Sequence, residues 1–204
     1  MQLSGGKNMV KSIDMLLNEY RNYSDPIGKI NRDIKKKILF PIVKGLYETN
    51  LNTSGHLLSA YIYGPSYLSF DYALSYHGLI PERVMVYTNA TFNKRKSKIY
   101  QNQFGIFTYR DIPKTAYPFG IKAYIDNNYS YFIGSAEKAI CDKLYIEPTQ
   151  TSVKSLKRLL FEDLRIDIES FRQLDFIEMR LLCSKYPSKN IKLLEKYLSK
   201  EIIK

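Results

Sequence analysis

The tripeptide Ser24-Asp25-Pro26 divides the N-terminal region into two short helices. Upstream of it, apolar residues recur at helical spacing behind Ser12, which is a favourable N-cap residue, and they predict an amphipathic helix over residues 12–23. Downstream, the tripeptide supplies a capping side chain, and proline is preferred at the first helical position. A second short helix is therefore expected to begin at Pro26.

The second helix is predicted to have an apolar side and a polar, mostly cationic side. The apolar stripe consists of Ile27, Ile30 and Ile34. The cationic and amide side chains on and just after the helix are Lys29, Asn31, Arg32, Lys35, Lys36 and Lys37. Lysine and arginine contact DNA phosphates, while asparagine and arginine can also bond to base edges. These residues are the candidate DNA-binding set.

Two β-rich segments, residues 38–43 and 46–49, follow on either side of Lys44-Gly45 and predict a β-hairpin with a basic turn. Helix, basic helix and hairpin within a short stretch are the parts of a winged helix-turn-helix, in which the wing contacts the DNA backbone. Lys44 is accordingly assigned to the flanking phosphates. The alternative is a small α/β unit whose lysines are only solvated.

Residues 50–55 are polar and rich in Asn, Thr, Ser and Gly, which is typical of a linker. We therefore predict two units, a winged-helix domain over residues 1–53 and a larger domain over residues 54–204. The fold class expected is α+β: the winged helix-turn-helix, then a mixed α/β domain with a C-terminal helical region.

In the larger unit, β-branched and aromatic residues predict strands at 84–88 and 105–109, and a hairpin that turns at 127–128. Helices are predicted after the N-cap candidates Ser69 and Ser135 and through most of the chain from residue 151. A basic run lies between the first two strands and forms either a second basic surface or a solvated turn. Its cations are Lys94, Arg95, Lys96 and Lys98.

The formal net charge of +11 favours a polyanionic partner, although a lysine-rich surface can also serve solubility alone. No apolar run is long enough to span a bilayer and the first residues lack a signal-peptide pattern, so we expect a cytoplasmic protein without a membrane partner. Cys141 and Cys183 have neither metal-ligand nor disulfide-framework spacing and are expected to be reduced core thiols.

Four segments of this sequence resemble the AbiEi family of antitoxins, which belong to type IV toxin–antitoxin and abortive-infection systems. They are YGPSYLSFDYALSYHGLIPE (63–82), FGIFTYR (104–110), AEKAICD (136–142) and LFEDLR (160–165). Residues 26–38 and 44–47 are also similar to the family's N-terminal winged-helix segment. The resemblance extends over nearly the whole chain.

This resemblance implies a protein of two parts. The winged-helix domain would bind repeats in its own promoter and repress the operon. The C-terminal domain would counteract a cognate nucleotidyltransferase toxin without forming a stable complex with it. The expected partners are thus operator DNA and that toxin, with phage defence as the biological setting.

No enzyme, cofactor or metal site is expected, because none of the common nucleotide-binding, hydrolase or zinc-protease motifs is present. The best enzyme alternative is a metal-dependent nuclease, if carboxylates converged on Mg²⁺. The carboxylates considered are Asp71, Glu82, Glu137 and Asp142. A third hypothesis is a protein-interaction module that uses some of the 18 tyrosines and does not bind DNA.

Overall fold

The computed structural model describes residues 9–126 and 128–202, with side chains to residue 200. Mixed α/β content is confirmed, in two separate sheets. The strands are β1 (Val10–Ser12), β2 (Phe40–Val43), β3 (Leu46–Glu48), β4 (Tyr67–Leu68), β5 (Val86–Thr91), β6 (Lys98–Asn102), β7 (Gly105–Asp111), β8 (Ile121–Asp126) and β9 (Tyr129–Gly134). The helices are α1 (Ile13–Glu19), α2 (Pro26–Lys35), α3 (Gly55–Ile62), α4 (Phe70–Tyr76), α5 (Ala136–Ile146), α6 (Val153–Arg158), α7 (Ile168–Arg172), α8 (Phe176–Cys183) and α9 (Lys189–Ile202).

Helices α1 and α2 lie against an antiparallel sheet of order β1-β3-β2. Both predicted N-caps are confirmed: the Ser12 hydroxyl accepts a hydrogen bond from the α1 backbone and the Asp25 carboxylate from the α2 backbone. The small core between the helices and the sheet contains Leu16, Ile30 and Leu39. The sequence analysis missed β1, which is only three residues long and has no alternating pattern of its own.

Two details of the predicted helices are wrong. Helix α1 ends at Glu19, so the segment to residue 23 is a turn rather than a continuation of the helix. Ile27 is 62% exposed. Only Ile30, which is buried, and Ile34, which is partly buried, face the small core from α2. The apolar stripe is therefore narrower than the sequence spacing indicates.

The second sheet has six strands in the order β6-β7-β5-β4-β9-β8. The pairs β5–β7 and β4–β9 are parallel, and the hairpin predicted around residues 127–128 is the antiparallel pair β8–β9. Strand β5 lies two to three residues further along than the predicted 84–88. Strand β6 was missed because its first residue, Lys98, belongs to the basic run that was assigned to a turn.

Helix α5 lies at the centre of the larger unit, with Ser135 as its N-cap, as predicted. The C-terminal helices pack around it, and a five-residue π-helical turn, Leu159–Asp163, continues α6. Cys141 and Cys183 are free and buried, and their thiols contact each other. Among the helices of residues 9–126 and 128–202, none combines the length and apolar character needed to cross a membrane.

The β2–β3 hairpin is fixed to the larger unit rather than free. The side-chain amides of Asn102 and Gln103 donate hydrogen bonds to the carbonyl oxygens of Ile42 and Pro41, at 2.9 and 2.6 Å. Ile42 is buried in the main hydrophobic cluster of the larger unit. The outer face of the small sheet thus joins the main core, while its inner face covers the small core under α1 and α2.

Candidate nucleic-acid interface

The exposed side of α2 carries most of the predicted DNA-binding residues. Its buried side points Ile30 and Asp33 inward, and at about 100° per residue the opposite side presents Asn31, Arg32 and Lys35. All three side chains are exposed. Lys36, Lys37 and Lys44 are exposed as well. The structure therefore places one amide and several cations on a single accessible helix face.

Lys29 is the exception, because its ammonium is bonded within the protein. The Lys29 Nζ lies 2.5 Å from Asp33 Oδ1, one helical turn away, and above the rings of Tyr20 and Tyr23. The Tyr20 hydroxyl donates a 2.8 Å hydrogen bond to the other oxygen of Asp33. Lys29 therefore ties α2 to the end of α1 and is not directed to a ligand.

The electrostatics at Asp33 follow from these bonds. Burial alone raises the pKa of Asp33, but hydrogen bonds from Lys29 and Tyr20 outweigh burial and hold that pKa below its ordinary value of 3.8. The pKa of Tyr20 is raised by burial and by the hydrogen bond to Asp33. Asp33 is thus an ionised, buried acceptor that fixes the angle between the two helices.

The cations at the C-terminal end of α2 have few acidic partners. Arg32 lies 3.7 Å from Asp25, and both side chains are more than half exposed, so this pair contributes little. In the part of the chain that the structure describes, Lys35 and Lys37 form no ion pair. Lys37 has a φ of 56° and ends the helical segment before β2 begins. Acidic side chains of the protein therefore neutralise little of the positive charge at the C-terminal end of α2.

Lys44 lies at the tip of the β2–β3 hairpin, as the wing prediction requires. The carbonyl of its neighbour Gly45 accepts a 2.8 Å hydrogen bond from the Ile13 backbone N–H, so the tip lies beside the start of α1. Lys44 itself is exposed. The hairpin is thus hydrogen-bonded to α1 at its tip and to the larger unit through Pro41 and Ile42 of β2.

The basic run at residues 94–98 forms an ordered loop rather than a freely projecting tip. The Asp111 carboxylate accepts hydrogen bonds from the backbone N–H groups of Lys94 and Arg95, each at 2.7 Å. The Lys94 ammonium bonds to the Gly64 carbonyl and lies over the Tyr63 ring. Arg95 and Lys96 are exposed, whereas Lys98 is half-buried at the start of β6.

The four carboxylates of the nuclease alternative have separate partners. Asp71 pairs with Lys143, Glu82 with Arg165, Asp142 with Lys138, and Glu137 accepts a hydrogen bond from the Asp175 backbone. Across the described residues, no three His, Cys, Asp or Glu side chains are grouped so that they could hold a metal ion. The convergence on which that alternative depends is therefore not observed there.

A buried charge cluster in the larger unit was not predicted. Asp142 is fully buried and accepts hydrogen bonds from three hydroxyls, those of Tyr67 and Ser69 at 2.7 Å and that of Tyr186 at 2.5 Å. The Lys138 ammonium, also fully buried, lies 3.4 Å from Asp142. Burial lowers the pKa of Lys138, and Asp142 partly offsets this.

The buried cluster changes the expected role of Ser69 at the start of α4. Ser69 is the N-cap residue of α4, as predicted, but its hydroxyl makes no capping hydrogen bond because it donates to Asp142 instead. His77 is the C-cap residue of α4, and its side chain contacts another element: the Nε2 atom lies 2.8 Å from the Gly134 carbonyl oxygen of β9. The i,i+4 spacing of Lys138 and Asp142 was the only sequence signal for the cluster, and it reads as a surface ion pair when burial is unknown.

A scan of protein-family models gives no match to this chain, and a search among curated proteins finds none that is similar. The functional argument therefore depends on the residues of this chain and on their geometry.

Proposed function

We propose that this protein is an antitoxin of the AbiEi type that represses its own operon by binding promoter DNA through α2. The observation that carries the DNA-binding part is the exposed face of α2, where Asn31, Arg32 and Lys35 lie side by side with few acidic partners. A helix presenting an amide, a guanidinium and an ammonium offers both base-edge and phosphate contacts. The sheet order β1-β3-β2, with a basic hairpin tip, supports a winged-helix reading of the same unit.

The proposed mode of binding assigns a role to each group. Helix α2 enters the major groove, where Asn31 and Arg32 contact bases, and Lys35, Lys36 and Lys37 contact phosphates. Lys44 contacts the backbone beside the groove. Lys29 acts inside the protein, because its bond to Asp33 holds α2 in position. Because the hairpin is attached to the larger unit, α2 and the hairpin tip form a DNA-binding surface that is already in place before DNA binds.

The antitoxin part of the proposal rests on the resemblance in the larger unit. The first and third resembling segments meet in the buried cluster, because Tyr67 and Ser69 bond to Asp142 beside Lys138. These residues therefore serve the stability of the unit, and any antitoxic surface is formed by exposed residues around them. In this proposal the protein acts in the cytoplasm, opposes a nucleotidyltransferase toxin and is not itself an enzyme.

The DNA-binding part is tested with a labelled fragment of the protein's own promoter. We expect the full-length chain to shift this fragment more tightly than a scrambled fragment, and the triple variant Arg32→Ala/Lys35→Ala/Lys36→Ala to lose that affinity. The matched control removes three exposed cations elsewhere: Lys154→Ala/Lys192→Ala/Lys196→Ala. Equal affinity of both triple variants for the promoter overturns the assignment to α2.

A single substitution separates base reading from phosphate contact. If Arg32 reads a base bidentately, Arg32→Ala costs about 1–3 kcal/mol of operator binding and relaxes the preference at one base pair. If Arg32 contacts only phosphate, all sequences are weakened to a similar extent. The measurement is competition binding against operators changed one base pair at a time.

The antitoxin part needs a different readout. The test expresses a nucleotidyltransferase toxin from an inducible promoter, with and without this protein. We expect growth to be restored by the wild type and by the α2 triple variant alike, with no stable complex on co-purification. Failure to restore growth contradicts the antitoxin role and leaves DNA binding as the remaining function.

A further inference from the structure

Strand β8 is an open edge of the six-stranded sheet, and it is exposed along nearly its whole length. On the described residues its only strand neighbour is β9, and five of its six side chains are exposed. Ile125 is 82% exposed and Tyr124 is 40% exposed. A long edge strand with exposed apolar side chains is a template for pairing with another strand.

The backbone groups available for such pairing follow from the hairpin geometry. Asp126 and Tyr129 are paired at the end of the β8–β9 ladder, and two positions separate them in the sequence, so we assign them as the hydrogen-bonded pair that closes the hairpin. Bonding alternates along β8, and Tyr124 and Lys122 therefore direct their N–H and C=O groups toward β9. The N–H and C=O groups of Ala123 and Ile125 point to the open edge.

The side chains of β8 are complementary to those of a second, antiparallel β8. In this register Tyr124 of one strand faces Tyr124 of the second strand. Lys122 of each strand then faces Asp126 of the other, so the two-fold axis produces two pairs of unlike charges. The outward backbone groups of Ala123 then meet those of Ile125. A parallel arrangement would instead bring like charges together. In the monomer the charge of Lys122 acts on Glu178, and that of Asp126 acts on His56.

Both faces of the sheet continue across this junction. On one face Tyr131 stacks on Tyr124 with ring centroids 5.4 Å apart, and the second copy extends this to a row of four tyrosines. On the other face, Ala123 is paired with Phe132 of β9, which is partly exposed. In the dimer, the small Ala123 side chain lies beside the larger Ile125 of the second copy. Large side chains are thus matched with small ones, which favours close packing.

We propose that two copies of this chain associate through antiparallel β8 strands, centred on Tyr124, to form a continuous twelve-stranded sheet. The dimer forms without DNA and goes beyond the promoter-binding role. A two-fold axis would present two α2 helices to paired half-sites. Each copy retains its own α2, so absence of the dimer leaves the DNA-binding proposal unaffected.

The first test is a charge swap read by sedimentation equilibrium of the full chain at about 150 mM salt. We expect a monomer–dimer equilibrium in the wild type. Lys122→Glu and Asp126→Lys should each weaken the dimer about tenfold or more, since each creates two like-charge contacts. The double variant Lys122→Glu/Asp126→Lys should restore dimerisation. Lys96→Glu, which makes the same charge change away from β8, should have no effect.

The second test fixes the register. Opposite residues in a non-hydrogen-bonded pair have Cα atoms about 4.5 Å apart, a separation that a disulfide can span. Tyr124→Cys should therefore crosslink two chains under mild oxidation, while Lys122→Cys should not, because Asp126 rather than a second cysteine lies opposite it. The two native cysteines are buried and do not compete. A monomer at all concentrations, a dimer insensitive to the charge swap, or crosslinking through position 122 overturns the proposal.

Discussion

Replacement of Asp142 by alanine is expected to destabilise the larger unit strongly. The variant removes the acceptor of three buried hydroxyls and leaves the Lys138 ammonium fully buried, with the Ala116 carbonyl and the Tyr186 hydroxyl as its hydrogen-bond acceptors. Removal of one partner of a buried ion pair lowers the free energy of unfolding by about 3–5 kcal/mol. The part of this cost that comes from the unpaired charge has an upper limit, because deprotonating a lysine of ordinary pKa 10.5 at pH 7 requires about 5 kcal/mol.

For a chain of this length, about 3–5 kcal/mol corresponds to a fall in Tm of roughly 6–20 °C. Thermal and urea unfolding followed by circular dichroism measure this loss. The informative control is the double variant Lys138→Met/Asp142→Ala, which removes both charges and should be more stable than Asp142→Ala alone. A double variant at least as unstable as the sum of the two single variants would refute the role given to the buried charge.

The same variant has a predicted pH dependence. Burial already lowers the pKa of Lys138, and Asp142→Ala removes the carboxylate that partly offsets this, so the folded pKa falls further below the ordinary 10.5 that Lys138 keeps in the unfolded chain. Because the unfolded state binds more protons between the two pKa values, stability should rise with pH over that range, by at most about 1.4 kcal/mol per pH unit. Unfolding in urea at pH 7 and pH 9 tests this against the wild type. Parallel pH profiles for the two proteins would contradict it.

Three further substitutions test individual contacts in α3, between β9 and β3, and in α2. Gly55→Ala places a Cβ 2.7 Å from the Phe104 carbonyl oxygen, so urea unfolding should show a loss of about 1–3 kcal/mol, and unchanged stability would contradict this contact. Tyr129→Phe removes the 2.7 Å hydrogen bond to the buried Glu48 carboxylate and should cost about 1.5–3 kcal/mol, with a loss below 0.5 kcal/mol counting against the anchor. Because the folded pKa of Asp33 is lowered, its stabilisation is present above its ordinary 3.8 and is lost as pH falls through the folded value. Asp33→Asn should therefore be less stable at pH 7 and lose less stability on acidification, as acid titration of the unfolding free energy can show.

Local structure at helix-capping and turn residues could be predicted from the sequence. The caps at Ser12, Asp25 and Ser135 and the hairpin at residues 127–128 depend on a few neighbouring residues, and all of them are found. The exposed face of α2 follows from the same short-range periodicity. Such features need no knowledge of how distant segments pack.

Long-range contacts decide what the sequence could not show. Strand β1 exists because Val10–Ser12 pairs with β3, more than thirty residues away. Ser69 bonds to Asp142 instead of capping α4, because the two meet only in the folded core. Lys29 resembles a DNA-binding lysine in the sequence, yet its ammonium is held by Asp33 and two tyrosine rings. In each case tertiary packing overrides a local preference.

The salt dependence of promoter binding tests the DNA-binding account with the fewest assumptions. For a protein on duplex DNA, the slope of log Kobs against log salt is about −0.9 for each phosphate that a cation neutralises. The Arg32→Ala/Lys35→Ala/Lys36→Ala variant should therefore have a slope shallower than the wild type by roughly 2, because Lys35 and Lys36 are the phosphate contacts removed, or by roughly 3 if Arg32 contacts phosphate as well. The Lys154→Ala/Lys192→Ala/Lys196→Ala control should keep the wild-type slope. Identical slopes for the wild type and the α2 variant would contradict the placement of α2 on DNA.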